Sequence, residues 1–231
     1  QRQMCIRDRR YINKKNKPKI AIFREQGVNG HKEMANAFNL AGFDCYDVNT
    51  NDVIANPLLL DSYHGLVACG GFSYGDVLGA GRGWANKIKY NHNALNSLSK
   101  FFSDKNKFTL GVCNCQMLSN LKSIIPGSEH WPEFIKNNSD QFEARQVLVK
   151  IPKSNSILFK NMEKSVLPII VSHGEGKISI KNKSSIKKAT MQYVDATGKY
   201  TEEYPYNPNG SLNGVTGFCN NDGRINIMMP H

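Results

Sequence analysis

Three short apolar runs decide most of what this chain can become. They are Ile20-Ala21-Ile22-Phe23, Gly65-Leu66-Val67-Ala68-Cys69 and Phe108-Thr109-Leu110-Gly111-Val112. None shows the in–out alternation of a strand with one wet face. Strands that are apolar on both sides belong in a parallel sheet covered above and below. Between the runs lie segments with helical spacing. Met34, Ala37, Phe38 and Ala41 share a face within 31–41, and Gly42 stands at the stop. A long helix is predicted over Trp84–Phe102, another over Asn114–Ile125, and a second strand over Phe43–Val48. Strands alternating with helices predict an α/β fold, a three-layer, mostly parallel sheet flanked by helices. The second half is β-rich, with candidate strands at 146–151, 168–172, 189–194, 214–219 and 225–229. No internal repeat appears, and the 231 residues suit one domain.

Charge excludes less than it first suggests. The formal net charge is +11, but residues 1–19 carry +7 of it, leaving +4 for the rest. A basic face on the fold is therefore not required, and no signature of interleaved aromatic and basic residues points to nucleic acid. Residues 1–18 lack a hydrophobic period and read as a disordered basic leader outside the fold. Lys181–Lys188 reads as a solvated basic loop. No apolar stretch is long enough to span a membrane or to serve as a secretory signal, so a cytoplasmic location is expected. The six cysteines, at 5, 45, 69, 113, 115 and 219, fit no zinc spacing and read as reduced thiols.

Four patterns carry chemistry. Leu110-Gly111-Val112-Cys113-Asn114-Cys115-Gln116 places a thiol at a predicted strand-to-helix turn. Such a turn exposes the side chain, and a small residue two positions before it lets the turn close. The blander reading is that Cys113 is a small buried hydrophobe. Gly70-Gly71-Phe72-Ser73-Tyr74-Gly75-Asp76 follows a strand with two glycines whose N–H groups suit an oxyanion hole, or form a simple turn. Ser172-His173-Gly174-Glu175-Gly176 offers an imidazole and a carboxylate, and Met228-Met229-Pro230-His231 offers a second imidazole after a strand. Composition and spacing do not choose between His173 and His231. In open α/β sheets ligands bind at the carboxyl ends of strands, so the turns after Cys69, Val112 and Met229 are expected to meet at one edge.

These residues also carry a family resemblance. Lys17–Asn29, Leu66–Gly81, Trp84-Ala85, Pro126-Gly127-Ser128-Glu129, Ser172–Gly176 and Asn207-Pro208-Asn209-Gly210-Ser211 resemble the glutaminase domain of long-form phosphoribosylformylglycinamidine (FGAM) synthases. That domain is a class I glutamine amidotransferase of flavodoxin-like fold. The resemblance spans roughly 17–231 and implies an amidotransferase domain over 19–231. It implies hydrolysis of glutamine through a cysteine thioester. The ammonia would pass to an FGAM synthetase domain that converts formylglycinamide ribonucleotide (FGAR) to FGAM in purine synthesis. No cofactor is implied for the glutaminase itself. ATP and magnesium belong to the synthetase, which this sequence does not contain.

Carried over residue by residue, the resemblance makes Cys113 the nucleophile and His231 its base. Gly71 and the amide at Asn114 form the oxyanion hole, and Gln116, Phe72 and Ser73 contact glutamine. His173 and Glu175 become a loop beside the site. Two departures stand out. The family elbow reads Gly-Val-Cys-Asn-Gly-Cys-Gln, whereas here a glycine is missing after Asn114. Either Cys115 takes its place or the turn is rebuilt. The sequence also stops at His231, two residues short of the glutamate that orients the family's base, so the domain is expected to be truncated at its C-terminus. Both departures predict a poor glutaminase, or a remnant that only docks a synthetase partner.

Overall fold

The computed structural model describes residues 16–180 and 183–231. Most of the expected leader, residues 1–15, and the first two residues of the basic loop lie outside them. The apolar runs become adjacent strands: β1 (Lys19–Arg24), β3 (Gly65–Ala68) and β4 (Phe108–Val112), with β2 (Asp44–Asn49) at the edge. Their side chains are almost wholly buried in β1, β3 and β4, as strands covered on both faces require.

The remaining strands are β5 (Glu133–Ile135), β6 (Glu143–Lys150), β7 (Val166–His173), β8 (Lys177–Ser179), β9 (Ala189–Val194), β10 (Val215–Cys219) and β11 (Ile225–Met228). Nine strands form one sheet in the order β2-β1-β3-β4-β11-β10-β9-β6-β7. The pairs from β2 to β11 are parallel and those from β11 to β7 are antiparallel. The expected α/β class holds. The β-rich second half extends the parallel sheet instead of building a separate layer, which makes the sheet mixed. Among the described residues, β5 and β8, which no sequence signal marked, pair apart from it.

Among the described residues the α-helices are α1 (His31–Leu40), α2 (Thr50–Ala55), α3 (Ala80–Lys89), α4 (His92–Ser103) and α5 (Cys115–Asn120). The single helix expected over 84–102 is thus two. Asn91 breaks it: its backbone is extended and its side chain accepts from Ala94 N–H at 3.0 Å, capping α4. The helix expected over 114–125 stops at Asn120 and continues as a short 3-10 turn. No helix among the described residues is long and apolar enough to cross a membrane.

Trp84 on α3 locks this helix to the sheet. It is fully buried, its ring lies 5.3 Å from that of Phe23, and its Nε1 donates to Thr50 Oγ1 at 2.8 Å. Trp84→Ala leaves a large void and removes the indole donor from Thr50, whose hydroxyl keeps only a long bond to Arg24 O at 3.4 Å. The expected loss is about 3–5 kcal/mol of folding free energy, read by denaturant unfolding. A loss below about 1 kcal/mol contradicts this account of the packing.

Candidate active site

The order of β3, β4 and β11 brings their carboxyl ends together. Cys113 leaves β4 and its N–H donates to Met228 O at 2.9 Å, so the end of β11 runs alongside the elbow. His231 N–H then donates to Ile170 O on β7 at 3.0 Å. A cleft of about 280 Å³ opens at this edge. Gly71, Phe72, Cys113, Asn114, Gln116, His173, Glu175 and His231 all line it. Ser73 does not: it is buried and its hydroxyl has no partner. Asn29, Asp76, Leu78, Gly81 and Phe142 line it too, although the sequence reading assigned them no role. The first of these follows β1, another strand whose carboxyl end reaches the edge; nothing local marks Phe142.

Cys113 itself carries the strain of the turn. Its φ is +60°, in the left-handed region that non-glycine residues seldom occupy. The helix α5 starts at Cys115, directly after Asn114. Cys115 points inward, fully buried, with its sulfur 3.2 Å from Met229 Sδ. Gly111 is needed below, because a Cβ there would lie 2.6 Å from Leu118 Cδ1 and 3.3 Å from Cys115 Cβ.

Gly70 holds the space in front of the thiol. A Cβ at this position would sit 2.9 Å from Cys113 Cβ, 3.4 Å from Cys113 Sγ and 3.3 Å from His231 Nε2. Thiol and imidazole therefore converge on the same small volume. Gly71 has φ +141°, and a Cβ there would strike Asn29 N at 2.4 Å. The Asn114 side chain donates to Cys69 O at 3.3 Å and to Gly71 O at 3.2 Å, tethering the glycine turn to the elbow. On the far wall Gln116 Nε2 donates to Glu175 O at 2.7 Å, and the Glu175 carboxylate accepts from Gly79 N–H at 3.0 and 3.2 Å. Phe72 stacks on Phe142 at the mouth, ring centroids 6.3 Å apart.

Burial sets the protonation states. It pushes the Cys113 thiol up to about 11; the Asp76 charge adds to the rise, and the Gly71 backbone N–H opposes it. Burial lowers His231 below its ordinary 6.5 and lowers His173 to about 4, the latter also through His231. Both imidazoles are thus neutral at pH 7, and the thiol keeps its proton. The two rings differ in setting. His173 is buried, packs its ring on Gly176 and lies 3.5 Å from Asn209 Nδ2 through Nε2. His231 shares the Gly70 space with the thiol.

No group of three His, Cys, Asp or Glu side chains among the described residues is placed to hold a metal ion. No lysine or arginine is among the residues that line the cleft.

Comparison with known proteins agrees with this architecture. PurLQS from Thermotoga maritima superposes with a TM-score of 0.70 at 22% identity, over 94% of this chain and 88% of that one. A glutamine amidotransferase from Thermotoga maritima superposes with a TM-score of 0.51 at 14% identity, over 94% and 76%. At these identities the likeness is one of fold. The family model of the CobB/CobQ-like glutamine amidotransferase domain matches residues 17–231, nearly the whole described chain, and the chain belongs to that family.

Proposed function

We propose that the chain is the glutaminase of an FGAM synthase, with Cys113 as nucleophile and His231 as base. The observation that carries the chemistry is the strained elbow. Cys113 sits at φ +60° with its sulfur and His231 Nε2 facing the one space that Gly70 leaves empty. The family supports glutamine as substrate. The specific synthase rests on the sequence resemblance across 17–231.

The protonation states dictate the order of steps. The neutral thiol passes its proton to His231 as sulfur attacks the side-chain amide carbon of glutamine. The carbonyl oxygen becomes an oxyanion, met by the backbone N–H groups at Gly71 and Asn114. His231 returns its proton to the leaving nitrogen, which departs as ammonia and leaves a glutamyl thioester on Cys113. Water, deprotonated by His231, then attacks the thioester. Glutamate is released and the thiol regains its proton. The ammonia goes to a synthetase partner, where ATP and magnesium act. Because the family's synthetase spends that ammonia, the glutaminase is expected to be slow alone and faster with its partner.

A pH profile tests the pairing of a protonated thiol with a neutral imidazole. kcat/KM is expected to stay flat through neutral pH and to fall on the acid side, with a midpoint below 6.5, as His231 takes up a proton. A rate that keeps climbing from pH 7 to 9 instead signals a free thiolate and overturns His231 as base.

A second reading rests on burial, which pushes the Cys113 thiol up to about 11, as it would for an inert structural cysteine. A chain that only docks a synthetase follows if that thiol does not react. Incubation with 6-diazo-5-oxo-norleucine followed by peptide mass spectrometry separates the two. Labelling of Cys113 supports the glutaminase; an unlabelled Cys113, with and without synthetase, supports the docking remnant.

A further inference from the structure

We infer that Asp76 reads the α-ammonium group of glutamine and so restricts the site to amides that carry one. The inference rests on the glutaminase reading and extends it to a specificity residue. Two carboxylates line the cleft, Asp76 and Glu175. They differ in what they already hold. Both Glu175 oxygens accept the Gly79 N–H. The Asp76 carboxylate has no hydrogen-bond or ion-pair partner among the described residues.

Electrostatics single out the same residue. Free glutamine brings an ammonium and a carboxylate as well as its amide. No lysine or arginine lines the cleft, so the ligand's carboxylate falls to backbone N–H groups and its ammonium needs an anion. Asp76 is exposed at the cleft, where water solvates its carboxylate, and what burial it has still raises the carboxyl above its ordinary value. A cation seated there removes that penalty. The charge also reaches the nucleophile, since it opposes ionisation of the Cys113 thiol. Four bonds separate the amide carbon of glutamine from its ammonium nitrogen, a span of about 5 Å when extended. A ligand that places its amide at Cys113 therefore extends its ammonium about 5 Å along the cleft that Asp76 also lines.

The backbone holds Asp76 in that position. Its φ is +61°, and its N–H donates to Ser73 O at 3.0 Å, closing the turn. Asparagine tolerates the left-handed region well, so Asp76→Asn removes the charge without disturbing the turn.

The test is equilibrium binding to the full chain carrying Cys113→Ala, measured by calorimetry with two amides. One is glutamine; the other is 4-carbamoylbutanoate, which is glutamine without its ammonium. The expected result is a 10- to 100-fold preference for glutamine, in the range of about one charged hydrogen bond. Adding Asp76→Asn should weaken glutamine by about that factor and leave 4-carbamoylbutanoate unchanged, and Asp76→Glu should restore part of the preference. The inference is overturned if Asp76→Asn weakens both amides equally or neither, or if Glu175→Gln removes the preference while Asp76→Asn does not. If neither amide binds the Cys113→Ala chain at millimolar concentration, the glutaminase reading itself fails and this inference with it.

Discussion

Cys113→Ala is expected to abolish glutamine hydrolysis, by about 10⁴-fold or more, with the fold retained. The reason lies in the neighbourhood, because no second thiol is in position to take over. Cys115 is two residues away but fully buried inside α5 against Met229, and its thiol is pushed still further up. The other described cysteines are free thiols as well, but none of them lines the cleft. Steady-state ammonia release from the variant should therefore fall to background, and the diazo-ketone label should disappear from the elbow peptide. Retained turnover, or a label that moves to Cys115, places the nucleophile elsewhere.

A companion variant separates chemistry from stability. A non-glycine residue at φ +60° costs about 1–2 kcal/mol, and glycine gives back part of that through its looser unfolded chain. Cys113→Gly is therefore expected to be about 0.5–1 kcal/mol more stable than Cys113→Ala, and equally inactive. The strain belongs to the backbone of the elbow and the reactivity to its sulfur, so one substitution relieves the first as it removes the second. Equal unfolding midpoints for the two variants contradict a strained elbow.

The legible half of this molecule was local. Ile20–Phe23, Gly65–Cys69 and Phe108–Val112 announced a parallel sheet because both faces of each run are apolar, and the Gly70-Gly71 and Cys113 turns announced the edge where the cleft opens. Asn91 was harder to see, because a capping asparagine inside a helical period looks like one more polar residue on the wet face. Ser73 was misplaced because a motif read as a string hides direction: Phe72 lines the cleft, and Ser73 turns into the protein. The antiparallel half joins the same sheet through pairings such as Leu148 with Val194, across distances in sequence that no local pattern encodes. Composition and spacing left His173 and His231 open, and the family resemblance favoured His231. In the fold His173 is walled in by Gly176 and Asn209, whereas His231 faces the Gly70 space.

Gly70→Ala is the sharper test of the site, because it adds one methyl group and removes nothing. Gly70 does not use a left-handed φ, so alanine fits the backbone without strain, unlike Gly71 at +141°. The whole effect is then the contact of the new Cβ, at 2.9 Å from Cys113 Cβ and 3.3 Å from His231 Nε2. The first distance is too short for two carbons, so the elbow must shift. The methyl also takes the volume through which the thiol proton reaches the imidazole. Displacing reacting groups by about 1 Å costs about 10²-fold, and the expected fall in kcat/KM is 10²–10³-fold. Stability should change by about 1 kcal/mol, within the ordinary range for one added methyl in a site that can relax. Gly71→Ala should instead lose both, since its Cβ meets Asn29 backbone at 2.4 Å and its φ is denied to alanine. Full activity in Gly70→Ala means that thiol and imidazole do not work across this space, and His173 then becomes the base to test next.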